Sequence, residues 1–239
     1  PVPPLMKPLL VLAAFPVVLM GWASCSHSGT GHAALPDPRA VDKSVPEYKN
    51  PFHPSTYAHF VARKDYRKTY DVYKDDTLLN RQPKKSRKIF VCLDEQRGQY
   101  LVDGLVAMDF PLSSGVKAYP TKTGDYAVIS KKEDHTSNLY GKMYDAEGKC
   151  INYNAESTDP IPEGGRFDGS PMPYWQRLTN AGLGLHVGKV RRHPVSHGCV
   201  RLPRNVAEIL YRQTSIGTPV TIRKTPLPVP EAQKVPAVQ

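Results

Sequence analysis

Cys199 sits in the run Ser196-His197-Gly198-Cys199-Val200-Arg201, and a second histidine, His186, lies thirteen residues upstream. A thiol is only a few per cent thiolate at neutral pH and becomes a usable nucleophile when a base or cation lowers its pKa. His186 and His197 offer imidazoles, and Arg201 offers a fixed cation two residues beyond the thiol. Gly198 permits close backbone approach and frees N–H groups to face a developing oxyanion. A cysteine with histidines and backbone donors outlines an acyl-transfer site. The same residue types fit two other readings. One is a buried thiol among hydrogen-bonded imidazoles. The other is zinc, because His186, His193, His197 and Cys199 fall within fourteen residues. No paired Cys-x-x-Cys or His-Glu-x-x-His spacing accompanies them.

Such a site needs a scaffold, and the surrounding sequence reads mostly as strand. Segments 88–93, 99–115, 124–132, 174–178, 183–188 and 219–224 are short, rich in β-branched or aromatic residues, and bounded by Gly or Pro. "YPTKTGDY" (119–126) is a turn by its chemistry. One helix is expected after the cysteine motif. Pro203 suits its first turn, Val206, Ile209 and Leu210 recur at helical spacing, and Gly217 ends it. The expected fold is mainly β, a sandwich or barrel-like domain with one helix after SHGC.

"SHGCVRLP" (196–203), preceded by "LHVG" (185–188), "MPYWQRLTNAG" (172–182) and "YPTKTGDY", resembles the L,D-transpeptidase catalytic domain, the YkuD family of bacterial wall enzymes. The resemblance covers about 87–224. It implies a β-rich domain with a cysteine nucleophile, no metal and no cofactor. By position Cys199 matches the nucleophile and His186 the general base, while His197, Gly198 and Cys199 match the oxyanion-hole segment. Ser196 and Arg201 match residues that shape the site. Arg201 would fix a substrate carboxylate or else form a structural ion pair. Tyr119, Tyr174 and Trp175 would line a donor groove or else serve as core aromatics. Many members have Gly directly after the base histidine, whereas Val187 stands here and Gly188 follows. His193 has no family counterpart and reads as exposed. The implied reaction is acyl transfer on peptidoglycan stem peptides, which act as donor and acceptor, and water as acceptor would make it an L,D-carboxypeptidase. A wall-binding module without turnover is the alternative of a different class. A coupled Cys–His pair with an ordinary imidazole predicts activity rising between about pH 5 and pH 7.

The rest of the chain addresses and flanks this domain. The net charge of +10 over 239 residues favours an anionic polymer as partner. No basic block interleaved with aromatics appears, so nucleic acid is not expected. Residues 1–25 read as an export signal: Lys7, then an apolar run from Pro8 to Met20 that is short for a membrane span. Cys25 follows where a lipoprotein signal would place its lipidated cysteine, although Trp22 occupies the position usually held by Leu. This predicts an exported protein of the periplasm or cell envelope, held to the membrane through lipid on Cys25. Residues 26–86 read as a Pro-rich, basic tether, and 225–239 as a disordered Pro-rich tail. Cys92 and Cys150 are left as a disulfide pair or as two free thiols.

Overall fold

The computed structural model describes residues 34–82 and 86–237. Cys25 and the apolar run before it lie outside the described residues, as do 26–33. The first elements are α1 (Tyr57–Ala62), β1 (Tyr73–Lys74) and α2 (Asp76–Asn80). Thr56 caps α1 by accepting the His59 amide, and Asp75 caps α2 by accepting the Leu78 amide. Three antiparallel strands follow, β2 (Arg87–Cys92), β3 (Arg97–Val102) and β4 (Leu105–Pro111). Segment 99–115, expected as one strand, turns back at Asp103-Gly104. Both residues have positive φ, 50° and 79°, and Val102 pairs with Leu105 across a two-residue turn.

Beyond them lie β5 (Gly124–Ala127), β6 (Ser130–Lys132), β7 (Thr136–Tyr144), β8 (Cys150–Glu156) and β9 (Arg166–Pro171). The chain continues through β10 (Trp175–Arg177), β11 (Gly184–Val187), β12 (Val200–Leu202), α3 (Arg204–Gln213) and β13 (Pro219–Arg223). The described strands form three sheets, in the orders β1-β4-β3-β2-β13-β5, β12-β11-β10-β6 and β8-β7-β9. The mainly β expectation holds, with three α-helices among the described residues rather than one.

The first two sheets and α3 share one apolar core. Ile89 and Val91 of β2, Leu185 of β11, Val200 and Leu202 of β12, Val220 and Ile222 of β13, and Val206 and Leu210 of α3 are all buried in it. Each such side chain stabilises the fold by roughly 1.5–3 kcal/mol through its transfer from water. This core fixes β11 against β12, and therefore the residues those strands present.

Two expectations need correction. Much of the stretch read as a tether is folded: Phe52, Tyr57, Phe60, Val61 and Tyr66 form a second buried cluster with Val106 of β4. Within a proline-rich, charged composition, aromatic residues supply enough apolar area to dock the segment. The tail read as disordered is also docked. The Gln233 side chain takes both the amide and the carbonyl of Val106, at 2.8 and 2.9 Å, and Val229 joins the second cluster.

Beneath this second cluster lies a buried polar knot. Arg97 and Asp109 are fully buried, with Arg97 Nε donating to Asp109 Oδ1. Asp109 Oδ2 accepts from Tyr57 Oη (2.6 Å), Tyr66 Oη (2.9 Å) and Gln99 Nε2 (3.1 Å). A buried ion pair is tolerated when its remaining lone pairs are satisfied in this way.

Candidate active site

The parallel pairing of β11 with β12 sets His186 opposite Arg201. Paired residues share a sheet face, and Cys199 stands one residue before β12. Cys199, His186 and Arg201 all line one cleft of about 570 Å³. The far wall comes from the β8-β7-β9 sheet, through residues such as Ser137, Tyr140 and Ala155. Lys122, Arg177, Lys189 and Arg201 contribute four cations to the lining, and among the described residues no Asp or Glu contributes to it.

His186 is buried, and its Nδ1 lies 2.8 Å from the Val187 carbonyl oxygen. A carbonyl only accepts, so Nδ1 carries the proton and Nε2 is left with a free lone pair. Burial lowers the imidazole pKa to about 4, the Val187 bond opposes this, and Arg201 adds to the lowering. The Trp175 ring lies 5.9 Å from the His186 ring, with His135 5.1 Å away from the same indole. Gly184 makes room for that indole, because a Cβ there would fall 2.5 Å from it.

The Cys199 thiol donates to the Gly182 carbonyl oxygen at 3.3 Å. Burial raises its pKa, against opposing pulls from the Gly184 amide and Arg201. Both shifts favour the uncharged forms, thiol and imidazole, at neutral pH. Arg201 is half-buried, and among the described residues it forms no ion pair. Gly188 leaves space for its stem, since a Cβ at that position would lie 2.8 Å from Arg201 Cγ and Cδ. The glycine that arrives one residue late after His186 thus still has a steric task.

Ser196 builds the turn before the thiol. Its Oγ donates to the Cys199 carbonyl oxygen at 2.5 Å and accepts the Gly198 amide at 3.2 Å. The Gly198 amide is therefore occupied at rest. Among the described residues, the His197 and Cys199 amides have no protein acceptor. Gly198 has φ of 113°, a conformation that favours glycine. The His197 ring joins an aromatic stack, 4.4 Å from Tyr140 at an interplanar angle of 15° and 4.8 Å from Tyr119.

The three aromatics expected at the groove divide. Trp175 lines the cleft and backs His186. Tyr119 is not among the lining residues and packs against the His197 ring. Tyr174 does not line the cleft: it has φ of 54° and packs 5.6 Å from Tyr211 on α3. Among the described residues His186, His193, His197 and Cys199 do not gather into a metal-holding cluster, and His193 is exposed. Cys92, Cys150 and Cys199 are free thiols.

A profile of the YkuD family, the L,D-transpeptidase catalytic domain, matches residues 86–222. The chain belongs to the L,D-transpeptidase (YkuD) family. It is 31% identical over 121 residues to the probable L,D-transpeptidase 3 of Mycobacterium tuberculosis, a match covering 48% of this chain and 38% of that protein. The chain thus spans well under half the length of this curated relative. An L,D-transpeptidase from Mycobacterium smegmatis is similar in structure, with TM-score 0.44 and 21% identity over 57% of this chain and 58% of that one. An L,D-transpeptidase from Stackebrandtia nassauensis gives TM-score 0.43 and 22% identity over 70% and 65%.

Within this L,D-transpeptidase domain, sequence reasoning missed two contributors. Thr121 bridges the Gly115 amide and the Gly198 carbonyl, and its signal was its place inside "YPTKTGDY". The β8-β7-β9 sheet was missed entirely, because its Asn, Ser, Lys and Asp residues lack a repeating apolar face.

Proposed function

We propose that this L,D-transpeptidase family member performs cysteine-dependent acyl transfer on peptidoglycan stem peptides. The observation that supports this best is that Cys199, His186 and Arg201 line one cleft whose lining, among the described residues, holds four cations and no carboxylate. Such a lining suits a peptide rich in carboxylates. In this reading Cys199 Sγ attacks the carbonyl carbon of the third stem residue while its proton passes to His186 Nε2. The His197 and Cys199 amides hold the oxyanion. Collapse breaks the amide C–N bond, and the imidazolium gives its proton to the departing D-alanine amine. An acceptor amine then attacks the Sγ thioester while His186 takes its proton, the C–S bond breaks, and the imidazolium returns the proton to Cys199 Sγ. Water as acceptor makes the same site an L,D-carboxypeptidase. Arg201 holds a donor carboxylate. Export, with the domain at the cell envelope and lipid on Cys25, belongs to the same proposal.

The test is incubation of the purified chain with tetrapeptide muropeptides, with and without an added amine, and product analysis by mass. D-alanine release, a stem-peptide adduct on Cys199, and loss of both in Cys199→Ser are expected. Binding of muropeptides with no release by the wild type would establish a wall-binding module instead.

A further inference from the structure

We infer that Arg192 is a positioning residue for this reaction, a latch tying the loop that carries Cys199 to the N-terminal segment. The inference rests on the acyl-transfer reading above. It makes turnover depend on residues 67–69, which lie outside the family-matched part of the chain.

Arg192 lies in the loop between β11 and β12, seven residues before Cys199, with φ of 60°. That left-handed conformation is uncommon outside glycine and needs something to hold it. The guanidinium supplies the hold. Its Nη1 donates to the Thr69 carbonyl, and its Nη2 donates to the carbonyls of Arg67 (2.6 Å) and Glu95 (2.9 Å). One side chain thereby joins three segments: the loop, the stretch before β1 and the β2–β3 turn. Every acceptor is a main-chain carbonyl, so each bond reports backbone position rather than charge neutralisation.

Both ends of the latch are anchored. The Thr69 carbonyl also accepts from Arg97 Nη1 at 3.2 Å, and the Asp71 carbonyl accepts from Arg97 Nη2 at 2.9 Å. Arg97 is itself locked to Asp109 in the buried knot. On the loop side, Arg191 N donates to Ser113 Oγ at 2.8 Å, and the Val195 and Ser196 amides donate to the Ser114 carbonyl at 2.8 and 3.0 Å. Ser196 then reaches the Cys199 carbonyl directly. The route from the N-terminal segment to the Cys199 backbone thus runs through these hydrogen bonds and the short peptide links between them. A planar fork with five donors suits three divergent carbonyls, whereas an ammonium on a flexible stem meets them less well.

The full chain with Arg192→Ala and with Arg192→Lys tests this. Active thiol is counted by iodoacetamide labelling of Cys199, and D-alanine release is measured per active thiol. A misplacement near 1 Å costs on the order of 100-fold, so Arg192→Ala should lose about 10- to 100-fold in kcat with KM changed by less than about twofold. Arg192→Lys should fall between, and added methylguanidinium should restore part of the Arg192→Ala rate without affecting the wild type. A lower melting temperature with kcat per active thiol unchanged would overturn the inference, leaving a brace for stability alone. A raised KM at constant kcat would overturn it too, making Arg192 a substrate contact. If Arg192→Ala does not fold, Arg192→Lys decides by the same kcat and KM criteria. If the wild type releases no D-alanine, the acyl-transfer reading fails. The Cys199 alkylation rate still reads the loop, and an equal rate in wild type and variant removes the latch.

Discussion

Thr121 Oγ1 donates to the Gly198 carbonyl oxygen at 2.6 Å and accepts the Gly115 amide at 2.8 Å. One hydroxyl therefore pins the Ser-His-Gly-Cys turn to the strand-like segment after β4. The two backbones come close because residue 115 is glycine: a Cβ there would lie 2.8 Å from Gly198 Cα and 2.1 Å from the Tyr119 carbonyl oxygen. Thr121→Val keeps the shape and strands both groups. An unsatisfied buried polar group costs about 1–3 kcal/mol. Urea unfolding should show a loss in that range and kcat should drop with it, whereas Thr121→Ser should keep most of both.

Arg201 gives a second prediction. Its guanidinium is half-buried beside the thiol and has no carboxylate partner among the described residues. A hydrogen bond to a charged group contributes about 1.5–3 kcal/mol, so Arg201→Gln should lower kcat/KM on carboxylate-bearing stems by roughly 10- to 100-fold. Gly188→Ala keeps the charge but pushes a methyl group into the Arg201 stem, and it should move kcat/KM in the same direction. Steady-state kinetics on one muropeptide, with melting curves as control, checks both. A fall in melting temperature with kinetics intact would return Arg201 to a structural role.

The docked N-terminal segment gives a third. Phe52 is fully buried in the second cluster, and its backbone bridges to Pro236. Phe52→Ala should cost about 3–5 kcal/mol in urea unfolding. A residue in a solvated tether would cost nothing measurable.

How far the sequence carried depends on where apolar pattern and local chemistry agree. Strands β2, β11 and β13 were legible because β-branched runs such as Ile89–Val91 and Val220–Ile222 end at turn residues. Helix α3 was legible from Val206, Ile209 and Leu210. The hairpin between β3 and β4 was missed although Asp103-Gly104 is a strong two-residue turn signal, because the apolar residues on both sides made 99–115 read as one strand. The β8-β7-β9 sheet was not legible, because polar residues break up its apolar positions. Tyr57 and Tyr66 fell within the stretch read as a tether, and their burial rests on partners far along the chain, Val106 and Asp109. At the site, motif spacing named Cys199, His186 and Arg201. Which amides are free and which way each imidazole turns follow from long-range hydrogen bonds that spacing does not encode.

The pH dependence is where tertiary structure changes the expectation most. An ordinary imidazole predicts a rise in activity between about pH 5 and pH 7. Burial instead lowers the His186 pKa to about 4 and raises that of Cys199. As pH falls through 6.5 the base therefore stays neutral, and it is lost only near pH 4. The acid limb of D-alanine release should sit near that lower value. Iodoacetamide, which needs thiolate, should react about tenfold faster per pH unit from about pH 6 to pH 9, with no plateau near neutrality. Folding stability carries the same signature. The unfolded chain binds a proton on His186 below about pH 6.5 that the folded chain refuses until about pH 4, so stability rises with pH across that window. The accumulated difference is ~3 kcal/mol, and His186→Gln should remove it. Alkylation that levels off near pH 6, together with identical acid unfolding of His186→Gln and wild type, would mean that the pair rests as thiolate and imidazolium.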